Sequence, residues 1–282
     1  MMHIQWFPGH MTKALRMMED SVKIIDSIIY VLDARAINAC FNPRFDKIIG
    51  NKPILYVLNK CDLVELRDLD LWIKYFKVNK MNVVISNSIS NKYVKEIIDN
   101  LIESNQELID RYNDKGVHRA VRAMVIGIPN TGKSTLINSL CKGKKTNTGD
   151  KPGVTRGKQW IRIDNRVDLL DTPGTMSPNS DDQDAAQHLA FIGSINDDIL
   201  DTEEMALELI NTLKIKHMNK LVNRYGIDSL YNSSLEIIDA IAKSRGYLLK
   251  GSEVDYTRAC KVIIDDFRKT RIGKIMLEYP NA

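Results

Sequence analysis

Gly127-Ile128-Pro129-Asn130-Thr131-Gly132-Lys133-Ser134 fits the pattern GxxxxGK[ST] in full. It follows the apolar run Arg122–Gly127 and opens Ser134-Thr135-Leu136-Ile137-Asn138-Ser139-Leu140, a helical pattern. Strand, glycine loop and helix in that order give such a match its meaning. Glycines let successive backbone N–H groups curl around phosphate oxygens, and a helix start adds favourable potential for anions. Lys133 is placed to reach the β- and γ-phosphates of a nucleotide, and the Ser134 hydroxyl to bind Mg²⁺. Asn130, Thr131, Gly132 and Thr135 complete the expected contacts.

Similar apolar runs flank this loop. Ser27–Asp33, Ile54–Asn59 and Asn82–Ser86 precede it, and Gln159–Ile163 and Val167–Leu170 follow. The runs up to Gly127 are continuous rather than alternating, as parallel strands covered on both faces require. Met11, Ala14, Leu15, Met18, Val22 and Ile25 share one helical face before the first strand. Ile97, Ile98, Leu101, Ile102 and Leu108 predict one helix after the third. Strand–helix alternation of this kind is α/β, a doubly wound, mostly parallel sheet.

The pattern changes after Pro178. Asn179–Asp184 is polar and reads as a linker, and from there to Lys250 the periodicity is helical with no convincing strand. Gly226, Asn232-Ser233-Ser234 and Gly246 separate the helices. A last helix near Asp255–Lys269 puts Ala259, Cys260, Ile263, Ile264 and Phe267 on one side and Arg258, Lys261, Arg268 and Lys269 on the other. The expected organisation is an α/β domain over 1–178 and a smaller all-α domain over 179–282.

Composition excludes several classes. The chain has 282 residues, 44% hydrophobic and 27% charged, which is ordinary for about two globular domains. No apolar run approaches the ~18 residues of a membrane span, and Met1–Trp6 lacks the order of a secretory signal. Cys40, Cys61, Cys141 and Cys260 are far apart, with no CxxC, and read as reduced packing thiols of a cytoplasmic protein. A monomer is expected. Net charge is +4 overall, but +8 over residues 1–178 and −4 over 179–282. Residues 142–166 hold eight basic side chains, including Lys142, Lys144, Lys145, Lys151, Arg156 and Lys158, against two acidic ones. Such a stretch suits a polyanion, triphosphate or RNA; a solvated loop with no partner fits the charge equally well.

Asp171-Thr172-Pro173-Gly174 ends the last strand. An acid there can hold Mg²⁺ through water, and the Gly174 N–H can meet the γ-phosphate. Thr155, in Pro152-Gly153-Val154-Thr155, is the candidate to close on both. Asn59-Lys60-Cys61-Asp62 ends the second strand. A carboxylate such as Asp62 accepts both the ring N–H and the exocyclic amine of guanine, a pair adenine does not offer. Lys60 can lay its stem over the base while Asn59 ties the loops together. Ser86-Asn87-Ser88 is placed to offer a backbone N–H to the guanine carbonyl. Together these motifs predict GTP and GDP as ligands, with Mg²⁺.

The order of the motifs is unusual, because the base-reading loops come before the phosphate loop. In this the chain resembles the circularly permuted GTPases, specifically the ribosome biogenesis GTPase A family. The resemblance includes Trp6-Phe7-Pro8-Gly9-His10-Met11, Leu32-Asp33-Ala34-Arg35, Asn42-Pro43, every nucleotide motif, and the C-terminal Arg258-Ala259-Cys260, Asp266-Phe267-Arg268 and Gly273-Lys274-Ile275. It departs from the family at Ser86-Asn87, at Thr175-Met176-Ser177-Pro178 and at Ala36-Ile37. The resemblance implies a role in late maturation of the large ribosomal subunit, with rRNA as partner.

Thr175 stands where Ras-like enzymes carry the glutamine that orders the attacking water. Slow intrinsic hydrolysis is therefore expected, to be stimulated by the ribosomal subunit. The resemblance assigns the missing role to His10, beside Lys133 and Thr155 as catalytic residues; helix capping or RNA contact is the alternative. Asn130 is either a potassium ligand or bonded within its own loop. The RNA footprint expected is Lys142, Lys144, Lys145, Arg156 and Lys158 with Arg258, Lys261, Arg268 and Lys269. A GTPase of tRNA modification or another nucleoprotein, and an RNA scaffold independent of nucleotide, are the rival readings.

Overall fold

The computed structural model describes residues 9–90, 92–141, 159–163, 165–176, 182–230 and 233–280. In β1 (Ser27–Asp33) all seven residues are buried, which places it at the centre of the sheet. Around it lie β2 (Ile54–Asn59), β3 (Asn82–Ile85), β4 (Val121–Ile126), β5 (Gln159–Arg162) and β6 (Val167–Asp171). The order is β3-β2-β1-β4-β6-β5. Every pairing is parallel except that of β5, which runs antiparallel to β6 at the edge. This is the mixed, mostly parallel α/β sheet expected.

One face is covered by α4 (Val94–Glu103) and α6 (Lys133–Leu140), through Ile97, Leu101, Leu136 and Leu140 against Val31, Val57, Val125 and Leu169. On Tyr30 and Tyr56 of the sheet lie rings from α2 (Pro43–Ile49) and α3 (Leu66–Val78). Tyr30 meets Phe45 edge-on at 5.4 Å and Tyr56 meets Phe76 at 5.1 Å, geometries that add to area burial. Helix α1 (Gly9–Ser21) buries Met11, Leu15 and Met18.

The single helix expected around 97–108 is broken. Helix α4 stops at Glu103 and α5 (Gln106–Asn113) begins three residues later. Ser104 Oγ donates to Asn100 O at 2.7 Å and Asn105 Nδ2 to Leu101 O at 2.8 Å. Side chains that bond carbonyls one turn back compete with the helical ladder.

The chain forms two compact units. Trp6–Asn179 and the C-terminal Glu278–Ala282 belong to one, and Ser180–Leu277 to the other. A boundary at 178 alone leaves Glu278 with the helices. Instead, Glu278 O accepts from Trp72 Nε1 at 3.1 Å, and its carboxylate accepts from the Ala39 N–H at 3.1 Å. A buried indole N–H requires an acceptor, and the chain end supplies it.

The other unit contains α7 (Gln183–Phe191), α8 (Thr202–Lys216), α9 (Met218–Tyr225), α10 (Ser234–Arg245) and α11 (Tyr256–Arg268). Its helix ends follow the sequence signals. Gly226 and Gly246 close α9 and α10 in the left-handed conformation, and Ser233 and Glu236 form a capping box. One isolated β-bridge, Leu248 to Val254, interrupts the helical pattern. Helix α11 buries Ala259, Cys260, Ile263, Ile264 and Phe267 as expected. Asp266, also buried, takes bonds from Arg224, Tyr225 and Arg271. All four cysteines are free and buried. No helix among the described residues is long and apolar enough to cross a membrane.

Candidate nucleotide-binding site

Parallel strands deliver their following loops to one sheet edge, so the loops after β1, β2, β3, β4 and β6 meet although they are far apart in sequence. Asn59, the last residue of β2, joins three of them. Its Nδ2 donates to Thr131 O at 2.8 Å, and its Oδ1 accepts from Ser88 Oγ at 2.7 Å. Lys60 follows in the left-handed conformation and donates from Nζ to Asn130 O at 2.6 Å and to Asp33 Oδ2 at 2.7 Å.

Asp33 itself is fully buried and chelated by Arg35, Nε to Oδ1 at 2.9 Å and Nη2 to Oδ2 at 2.7 Å. Burial alone pushes a carboxyl upward; the Arg35 and Lys60 charges overcome it and hold Asp33 well below the usual carboxylate range. A fixed anion thus sets the position of the Lys60 ammonium.

The phosphate loop is equally constrained. Gly132 has φ +91°, and a Cβ there would collide with Asn59 Nδ2. Helix α6 starts at the next residue, so its first N–H groups face the loop. Lys133 is buried, with Nζ donating to Ile128 O at 2.7 Å. Burial pulls its amine down to about 8, opposed in part by Asp171 at the end of β6. Gly174 packs against this loop; a Cβ on it would lie 2.8 Å from both Lys133 Nζ and Pro129 Cα. Thr172 Oγ1 donates to Val125 O at 2.6 Å, fastening the Asp171–Gly174 turn to β4.

Between these loops lies a cleft of about 100 Å³ lined by Asn59, Lys60, Asp62, Leu63, Asn87, Ser88, Ile89, Gly132 and Thr135. Its lining joins three stretches, 59–63, 87–89 and 132–135, of which the first and last are more than sixty positions apart in the sequence. Ser86 is not on this wall. Its N–H goes to Leu58 O, its carbonyl accepts from Cys61, and it is buried at the strand end. Asn87, Ser88 and Ile89 line the cleft instead, and the Ile89 N–H is held by Asn87 Oδ1 at 3.1 Å. The Asp33–Arg35 ion pair is the other feature that sequence reasoning missed: the segment Leu32–Arg35 stands out through the resemblance, but its pairing does not.

Other expected residues are scattered or lie outside the described structure. Thr155, Lys142, Lys144, Lys145, Arg156 and Lys158 lie outside the described residues, as does the His10 side chain, although its backbone is the second residue of α1. Thr175 is fully buried, with its N–H toward Gly127 O at 3.4 Å. The basic face of α11 is only partly a face. Arg268 turns inward to the Phe191 and Ala190 carbonyls and the Asp197 carboxylate. Lys269 pairs with Asp265 at 2.8 Å, and Arg258 lies over the Tyr247 ring. Lys261 is exposed.

A family model described as 50S ribosome-binding GTPase matches residues 122–238, beginning at β4 and leaving the base-reading loops before it. The chain is similar to ribosome biogenesis GTPase A of Priestia megaterium, 39% identical over 99% of this chain and 98% of that protein. It is 33% identical to mitochondrial ribosome-associated GTPase 1 of Bos taurus, over 97% of this chain and 88% of that protein. Among solved structures it is similar to GNP-bound YlqF from T. maritima, with 26% identity and a TM-score of 0.67 over 95% of this chain and 99% of that one. By loop geometry, permuted motif order and full-length similarity, the chain belongs to the ribosome biogenesis GTPase A family.

Proposed function

We propose that this protein is a GTP-hydrolysing assembly factor for the large ribosomal subunit, bound in its GTP form and released by hydrolysis. The observation that carries the guanine reading is the shared cleft, with Asp62 on one wall and Gly132 on the other. The ribosomal reading rests on the relatives, whose names are ribosome biogenesis GTPase A and 50S ribosome-binding GTPase.

In this reading Asp62 accepts the guanine ring N–H and amine, Lys60 covers the base, and backbone groups of Asn87–Ile89 meet the carbonyl. Lys133 leaves Ile128 O for the phosphates. Ser134, Thr155 and Asp171 would hold Mg²⁺, which supplies charge neutralisation on the triphosphate. Asp171 is buried beside Lys133, and no three His, Cys, Asp or Glu side chains converge among the described residues. That donor set suits an ion that keeps waters and substrate oxygens as ligands. Asn130 is the candidate potassium ligand.

Thr175, buried against the phosphate loop, has no reach toward an attacking water, so hydrolysis is slow until the ribosomal subunit completes the site. His10 is the residue assigned to order that water. The protein acts as a cytoplasmic monomer. Co-sedimentation with large-subunit precursors tests the reading: retention with a non-hydrolysable GTP analogue and loss with GDP is expected. Equal retention in both states contradicts it.

A further inference from the structure

At the opposite end of the sheet from the nucleotide loops, the starts of β4 and β6, the end of β5 and helix α5 enclose a cleft of about 530 Å³. Its walls carry His118, Arg119, Arg122, Arg162 and Arg166, with Asp168 as the acid among them. Strand register explains the crowding. Asp168 on β6 faces Arg122 on β4 and Arg162 on β5, so one carboxylate lies between two guanidinium groups. Arg162 takes Asp168 at 3.0 Å, and Arg119 takes Asp26 at 2.7 Å while lying over the Tyr112 ring at 4.2 Å. Among the described lining residues four arginines stand against the one carboxylate of Asp168, which makes the lining basic.

An indole borders this cation cluster. Trp160, two residues before Arg162 on the same face of the edge strand, is 42% exposed, and the Arg122 guanidinium lies over its ring at 5.8 Å. Planar guanidinium forks match phosphate oxygens, and an exposed aromatic face takes a nucleobase. An acidic peptide would use the arginines and leave the indole idle.

We propose that this cleft binds the phosphodiester backbone of an RNA strand, with Trp160 stacking on a base. The choice of RNA over DNA rests on the ribosomal reading above; the cleft itself does not. The nucleotide loops occupy the other sheet end, so the two sites are separable by mutation.

The test uses full-length protein and fluorescence anisotropy with a labelled single-stranded RNA of roughly 20 nucleotides, a span adequate for one such groove. A polyglutamate peptide serves as the competing acidic probe. Arg162→Gln/Arg166→Gln should weaken RNA binding about ten-fold and lower the slope of log affinity against log salt by about 2. Trp160→Ala should weaken it about five-fold at unchanged slope, with Trp160→Phe restoring most of the loss. GTP affinity should be unchanged in all three. RNA binding and salt slope equal to wild type in both the arginine and alanine variants would overturn the proposal. Polyglutamate bound as tightly as RNA would overturn it in favour of an acidic protein partner. Loss of subunit co-sedimentation in the wild type, with the cleft still binding RNA, would remove the ribosomal reading and leave the cleft standing.

Discussion

At the carboxyl end of the central strands charge is fixed: Asp33, Arg35 and Lys133 are buried and, with the partly exposed Lys60, make short bonds. At the amino end of the same strands Arg122, Arg162 and Arg166 are exposed, and Arg162 keeps only a surface ion pair with Asp168. Buried charges with satisfied partners define one geometry and respond weakly to salt. Exposed guanidiniums bind through counterion release and respond strongly to it. One sheet thus offers a rigid, selective end and a pliable, electrostatic one.

The sharpest way to break this contrast is at its most buried member. Asp33→Asn removes the anion between two cations and should cost about 3–5 kcal/mol of stability, the range for breaking a buried pair. Urea unfolding checks it, and a loss below about 1 kcal/mol would place the pair among ordinary surface contacts. Lys133→Ala should lower GTP affinity about 100-fold, or about 3 kcal/mol, for lost charge-assisted bonds. Because the amine is buried without nucleotide, its removal should leave thermal stability equal or higher. Calorimetry and melting separate the two effects.

The lowered Lys133 amine gives a pH signature. Below about pH 8 it is charged with or without nucleotide, and binding takes up no proton there. Above that value the free protein holds it neutral while bound phosphates return the proton. GTP affinity should then fall by up to ten-fold, about 1.4 kcal/mol, per pH unit. Calorimetry in two buffers of different ionisation heat measures the proton, and a flat profile from pH 7 to 9 contradicts the assignment. The smallest effect belongs to the other end: Arg162→Gln/Arg166→Gln should change GTP affinity by less than about 0.5 kcal/mol, as distant sites do.

Much of this was legible before any coordinates. The strands were readable because continuous apolar runs have few other uses, and Gly226, Ser233 and Gly246 marked helix ends through their own backbone chemistry. The phosphate loop was readable because its glycines serve local geometry. What stayed hidden depended on partners distant in the chain. Asn105 lies buried between two helices with its amide on Leu101 O, a contact that apolar spacing does not reveal. Arg268 turns inward because the end of α7 brings the Ala190 and Phe191 carbonyls within its reach. Ser88 rather than Ser86 meets Asn59 because Ser86 is the last residue still paired with β2. Each is a tertiary choice between two locally equivalent groups.

The central claim is that two separated stretches make one guanine-selective pocket, and the direct measurement is titration of wild type and Asp62→Ala with GTP and ATP in turn. Convergence of the loops predicts that wild type binds GTP at least about 100-fold more tightly, as two charge-assisted bonds warrant. It also predicts that Asp62→Ala loses that preference while holding ATP as before. Equal affinity for both nucleotides in wild type, or an undiminished preference for GTP in Asp62→Ala, would contradict it.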